Sequence, residues 1–212
     1  MERRVWIGGG AFAICALLFG GIVLTLPDAG PLSIDREAAE AVQSLTGQQG
    51  EQLWEAVTHL GSSVVITAAA LLYSIWFGIH RRTWAALYFP AAGVAAYVLN
   101  QLLKSWVVRP RPAGAWGIDV DGSSFPSGNA MLAMAVYGMI TASFVLYAIA
   151  GRAAKWIAST IGIIGIACVG FSRLFFGVHY LSDIVAGYAA GALVMLITLH
   201  LVHYTLNRKH RA

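Results

Sequence analysis

Val5 to Leu26 reads VWIGGGAFAICALLFGGIVLTL, 22 residues without a charge, preceded by Met-Glu-Arg-Arg and followed by Pro27-Asp28. At about 1.5 Å of helical rise per residue this run is long enough to cross a hydrocarbon core of about 30 Å. A secretory signal peptide has a shorter apolar region and a small-x-small cleavage site. None follows Leu26, so an uncleaved membrane anchor is expected. The rest of the chain supports that reading: 58% of its 212 residues are hydrophobic and 11% are charged, a balance outside that of water-soluble domains.

Further apolar runs at 61–79, 84–103, 127–150, 156–176 and 184–204 each have spanning length. With 5–26 they make six transmembrane helices, so the expected fold is all-α and polytopic, one domain over 1–212. Between the first and second spans the composition changes. Asp35, Arg36, Glu37, Glu40, Glu51 and Glu55 alternate with Ala39, Val42, Leu53, Trp54 and Val57 at three- and four-residue spacings, and Gly47 and Gly50 interrupt the pattern. Two short amphipathic helices lying at the membrane interface are expected there. Cys15 and Cys168 lie inside apolar runs and read as small hydrophobes, neither a disulfide nor a metal framework.

The charges orient the bundle. Arg3, Arg4, Arg81, Arg82, Arg152, Lys155, Arg208, Lys209 and Arg211 fall at the N-terminus, the second and fourth loops and the C-terminus, all on one side. The positive-inside rule makes that side cytoplasmic, with both termini. The acids, Asp119, Asp121 and Asp183 among them, gather on the other face, Glu2 excepted. Five bases remain outside with them: Arg36, Lys104, Arg109, Arg111 and Arg173. Orientation does not require them there, and cations at an outer surface call for an anion, with arginine's planar fork suited to phosphate oxygens.

Two stretches complete that anion site. In Ser172-Arg-Leu-Phe-Phe-Gly-Val-His179-Tyr-Leu-Ser-Asp183, His179 and Asp183 are four residues apart, on one face if the last helix begins near His179. The carboxylate can then accept a hydrogen bond from one imidazole nitrogen, which leaves the other as an oriented nucleophile or base. In Phe125-Pro-Ser127-Gly128-Asn129, at the start of the fourth span, backbone amides and the positive end of the helix dipole offer a second phosphate cradle.

The set is specific in its spacing: Lys104, six residues, Arg111-Pro112; then Pro126-Ser127-Gly128; then Ser172-Arg173, five residues, His179, three residues, Asp183. It resembles the three-part signature of the type-2 phosphatidate phosphatase superfamily. The resemblance implies a metal-independent membrane phosphatase without cofactor that forms a phosphohistidine. His179 is then the nucleophile, Asp183 orients it, and Lys104, Arg111, Ser127, Gly128 and Arg173 hold the phosphoryl oxygens, with Arg109 a further candidate for the headgroup or the loop surface. The implied partners are the bilayer and a lipid phosphate in it: phosphatidylglycerol phosphate, phosphatidic acid or undecaprenyl diphosphate. The short chain without appended segments favours a bacterial plasma membrane, with the site on the outer face. No nucleic acid partner is implied, and oligomeric state stays open.

One position departs. Where the family carries a histidine that protonates the leaving oxygen, this chain has Asn129, which can donate a hydrogen bond but not a proton. Either the residue is an introduced change that impairs the enzyme, or the substrate has a good leaving group, such as the phosphate monoester released from a diphosphate, which needs less help from a general acid.

Blander readings exist for each part. Lys104 can snorkel from a helix end; Pro-Ser-Gly is a common helix start; Asp119 and Asp121 are too few ligands for calcium and read as solvated loop acids. Trp54, Trp76, Trp84, Trp106, Trp116 and Trp156 read as an interfacial aromatic belt. Gly187 and Gly191 form a small-xxx-small pair for packing within the monomer. A non-enzymatic lipid-phosphate carrier is the alternative function, and the absence of polar groups at mid-span argues against it.

Overall fold

The computed structural model describes residues 2–27, 30–46, 50–112 and 122–209. Asp28, Gly47, Trp116, Asp119, Asp121 and Arg211 lie outside the described residues. The chain forms α1 (Glu2–Thr25), α2 (Ser33–Thr46), α3 (Glu51–Leu60), α4 (Ser63–Arg81), a 3₁₀ turn (Trp84–Leu87), α5 (Tyr88–Trp106), α6 (Gly128–Tyr147), α7 (Arg152–Phe175) and α8 (Leu181–Lys209). All but α2 and α3 are long and apolar enough to cross a membrane, and no strand occurs among the described residues. The fold is the expected six-span all-α bundle with two short amphipathic helices after the first span.

Local chemistry sets several of the ends. Gly50 adopts φ 93 just before α3, a left-handed conformation that glycine enters without a Cβ clash. Ser62 caps α4 by accepting from the Val65 amide at 3.3 Å, and Thr83 caps the 3₁₀ turn from the Ala85 amide at 3.2 Å. The expected 84–103 span is this turn followed directly by α5, one continuous run from Trp84 to Trp106. Pro90 then sits in the first turn of α5, where its missing N–H has no intrahelical acceptor to lose. Apolar periodicity marks the hydrocarbon span and not the helix end, so α7 starts at Arg152, ahead of 156, and α8 runs on to Lys209, past 204.

Helix α6 is the centre, packed against α4, α5, α7 and α8. Small residues of α8 allow close approach: a Cβ on Gly187 would lie 2.6 Å from the Ser127 carbonyl oxygen, and one on Gly191 would run into that of Met131. The pair therefore packs α8 onto α6 within the monomer. Ile66, Phe77, Phe89, Met131, Val136, Met139 and Val169 fill the core, while Leu17, Ile75, Leu102, Trp106, Trp156 and Ile163 point outward as a lipid-facing surface should. Trp54 turns inward: its ring centroid is 4.5 Å from that of Phe171 and 5.9 Å from that of Phe175, so an aromatic cluster docks α3 onto α7.

Candidate functional site

Antiparallel packing brings the C-terminal ends of α5 and α7 beside the N-terminal ends of α6 and α8, and the residues singled out in the sequence lie at these ends. The loop from α5 to α6 is laced to itself. The Ser123 hydroxyl donates to the Val107 carbonyl at 2.7 Å and accepts from the Arg109 amide at 3.2 Å, and the Ser124 amide donates to the Arg109 carbonyl at 2.9 Å. This lacing aims two cations. Lys104 donates from Nζ to the Ser123 carbonyl at 2.9 Å, and Arg111 donates to the carbonyls of Val178 at 2.9 Å and Gly122 at 3.3 Å.

His179 precedes α8 and is 4% exposed. Its Nε2 stands 3.4 Å from an Arg111 terminal nitrogen, and its Nδ1 stands 3.6 Å from an Asp183 carboxylate oxygen. That second distance is long for a hydrogen bond, as catalytic contacts often are without substrate. The same Asp183 oxygen accepts from the Tyr180 amide at 2.9 Å, the back-reaching half of a capping box at the start of α8. Burial pushes the imidazole down to about 4; Asp183 opposes the shift, and the charges of Arg111 and Arg173 add to it. At neutral pH His179 is an uncharged base with one nitrogen facing a carboxylate and the other facing arginine.

Arg173 reaches the site from the last turn of α7, where one terminal nitrogen donates to Thr58 of α3 at 2.9 Å. Ser127 opens α6: its amide donates to the Asp183 carbonyl at 3.0 Å and its hydroxyl caps nothing. Helix geometry leaves the amides of Gly128, Asn129 and Ala130 without intrahelical acceptors. Ser127 Oγ and Arg173 Nε are buried and make no hydrogen bond in the structure, the kind of orphan pair that a polar ligand satisfies. Asn129 turns its side-chain amide toward the α3–α4 junction, where a Cβ on Gly61 would lie 3.3 Å from it. Among the described residues no three His, Cys, Asp or Glu side chains converge as a metal ion would need.

Arg109 departs from expectation. It neither stands at the loop surface nor points to a headgroup: it is 3% exposed and paired with the carboxylates of Asp183 and, at 2.8 Å, Asp35. Pro110 after it keeps the backbone extended, and two buried acids draw the guanidinium inward. Sequence reasoning also missed three supports. Asp35 is buried, Thr58 holds Arg173, and Asn100 donates to the Pro126 carbonyl at 3.2 Å behind the Ser127 turn. Asn100 had a signal, a polar residue one turn before Lys104 in an apolar helix. Asp35 and Thr58 had none beyond their place in amphipathic segments.

Comparison with known proteins adds relatives. The sequence profile of the PAP2 superfamily matches residues 85–207. Phosphatidylglycerophosphatase B of Bacillus subtilis (strain 168) is 28% identical over 166 residues, 78% of this chain and 81% of that protein. The crystal structure of a transmembrane PAP2-type phosphatidylglycerolphosphate phosphatase from Bacillus subtilis superposes with a TM-score of 0.78 at 24% identity, covering 93% of this chain and 96% of that one. That of Aquifex aeolicus LpxE gives 0.60 at 22% identity over 80% and 96%. The two superpositions speak for the fold.

Proposed function

The chain belongs to the PAP2 superfamily and is a lipid phosphatase, and from that premise we propose that it removes the terminal phosphate of a membrane lipid at the outer leaflet through a phosphohistidine on His179. The observation that carries this reading is the placement of the imidazole, uncharged and held between Asp183 on Nδ1 and Arg111 on Nε2. In the proposed first step Nε2 bonds to phosphorus while the bond to the lipid oxygen breaks. Asp183 accepts the Nδ1 proton's hydrogen bond and stabilises the imidazolium that forms. Lys104, Arg111, Arg173, Ser127 and the first amides of α6 take the phosphoryl oxygens, which is where phosphoryl transfer needs charge. Water then cleaves the nitrogen–phosphorus bond, yielding phosphate and free His179.

Asn129 narrows the substrate. Expelling an alkoxide from a phosphomonoester needs a proton donor, whereas a diphosphate expels a phosphate monoester, whose second pKa is about 6. A lipid diphosphate such as undecaprenyl diphosphate is therefore the preferred substrate over phosphatidic acid or phosphatidylglycerol phosphate.

Phosphate release by purified protein from each of the three lipids, with chelator present, tests the reading. Release is expected to be fastest from the diphosphate, to persist with chelator and to vanish in His179→Ala. Release that survives His179→Ala refutes the nucleophile, and loss on chelation refutes the metal-free route.

A further inference from the structure

Asp35 belongs to α2, an amphipathic segment expected at the membrane interface, yet it is 1% exposed. Its carboxylate accepts four hydrogen bonds: from the Ser182 amide at 2.8 Å, the Ser182 hydroxyl at 2.9 Å, the Leu32 amide at 3.0 Å and Arg109 at 2.8 Å. Every one is a donor, so the group is an ionised acceptor. The Ser182 contact caps the start of α8 from another helix, one residue before Asp183. Arg109 closes the circuit. One terminal nitrogen binds Asp183 and, at 2.8 Å, the Ser182 hydroxyl; the other binds Asp35 and, at 3.3 Å, the Gly30 carbonyl. Its guanidinium carbon also lies 4.2 Å from the centre of the Tyr180 ring.

A buried arginine on the carboxylate behind a nucleophilic imidazole poses a problem. Paired with Arg109 alone, Asp183 would present no net charge to His179, and the imidazolium formed on phosphoryl transfer would lose its counter-ion. A second buried carboxylate on the same guanidinium removes the problem, because Asp35, Arg109 and Asp183 together carry one negative charge.

We propose that Asp35 is a positioning residue for the His179–Asp183 pair, offsetting the charge of Arg109 so that Asp183 keeps its own for His179. Arg109 in turn fixes which oxygen of Asp183 faces the ring, and α2 becomes part of the catalytic end of the bundle. The inference rests on the phosphohistidine reading above.

The test compares wild type, Asp35→Asn and the double variant Asp35→Asn/Arg109→Gln in phosphate release from undecaprenyl diphosphate in detergent micelles. Asp35→Asn keeps the shape and makes the buried group neutral. Its kcat is expected to fall roughly tenfold or more, because a unit charge is lost close to the developing imidazolium. KM should change less than about threefold, because Asp35 does not touch the phosphate. The double variant restores a single negative charge and should recover most of the lost rate, although it breaks a further ion pair. A network that merely docks α2 gives the opposite order, the double variant slower than the single. That order, or wild-type kcat in Asp35→Asn, overturns the proposal. So does a chain that cannot fold without Asp35, with or without Arg109→Gln, since it makes the network purely structural. Wild type that releases no phosphate, or His179→Ala that still does, refutes the proposed function and is separate from these outcomes.

Discussion

His179 is buried and uncharged, with its pKa pushed down to about 4 from the ordinary 6.5. The attacking form is the neutral imidazole, so it persists as pH falls through 6.5 and is lost only near 4. The imidazole, followed by NMR of the detergent-solubilised protein from pH 3.5 to 8, is expected to titrate near pH 4, and titration near 6.5 would contradict a desolvated nucleophile. Asn129 carries the second expectation at this scale. Asn129→His should raise turnover on phosphatidic acid several-fold and on the diphosphate far less, because only the alkoxide needs the proton; equal rates for the two forms on phosphatidic acid would sink it. His179, Asp183, Lys104, Arg111 and Arg173 were legible as residues because spacing along a helix and bases on the wrong face are properties of the string itself. Arg109 was not, because the acid that pulls it inward lies 74 positions away in a segment that reads as surface. The string gives no sign of which distant carboxylate a base will meet.

At the scale of elements, contact between α6 and α8 fixes the relation of the Ser127 turn to His179. The approach depends on the missing side chain at Gly191, where a Cβ would run into the Met131 carbonyl oxygen. Gly191→Leu should destabilise the protein by about 1–3 kcal/mol, as overpacking does, and reduce phosphate release with it. Gly165→Ala in α7, where a Cβ meets nothing within 4 Å, should leave Tm unchanged or raise it slightly. Thermal unfolding in detergent followed by circular dichroism separates the two. The spans and the small-xxx-small pair could be read from composition and period. The docking of α2 and α3 could not: amphipathicity reports that a helix has an apolar face but not what covers it. Trp54, assigned by pattern to the interfacial belt, instead lies on Phe171.

For the whole molecule, the charge census implies that the α5–α6 loop faces outward and the α4–α5 turn inward. In a chain carrying Cys15→Ser and Cys168→Ser, a membrane-impermeant maleimide applied to intact cells should label Gly122→Cys and not Arg82→Cys; the reverse pattern inverts the topology. The global arrangement was the most legible level, since a bilayer allows few ways to satisfy six apolar helices. The precise meeting of their ends was the least, because it depends on the α5–α6 loop and its Ser123 lacing. Those ends have one more consequence. Lys104 closes α5, Gly128 opens α6, Arg173 closes α7 and Asp183 lies in the first turn of α8, so the cluster sits at the rim of the bundle and not within it. A lipid reaches such a rim by lateral diffusion without leaving its leaflet, and the concentration that governs turnover is then two-dimensional. Diluting the substrate with inert lipid at constant bulk amount should slow the reaction in proportion to mole fraction, as though the bilayer were the reaction vessel.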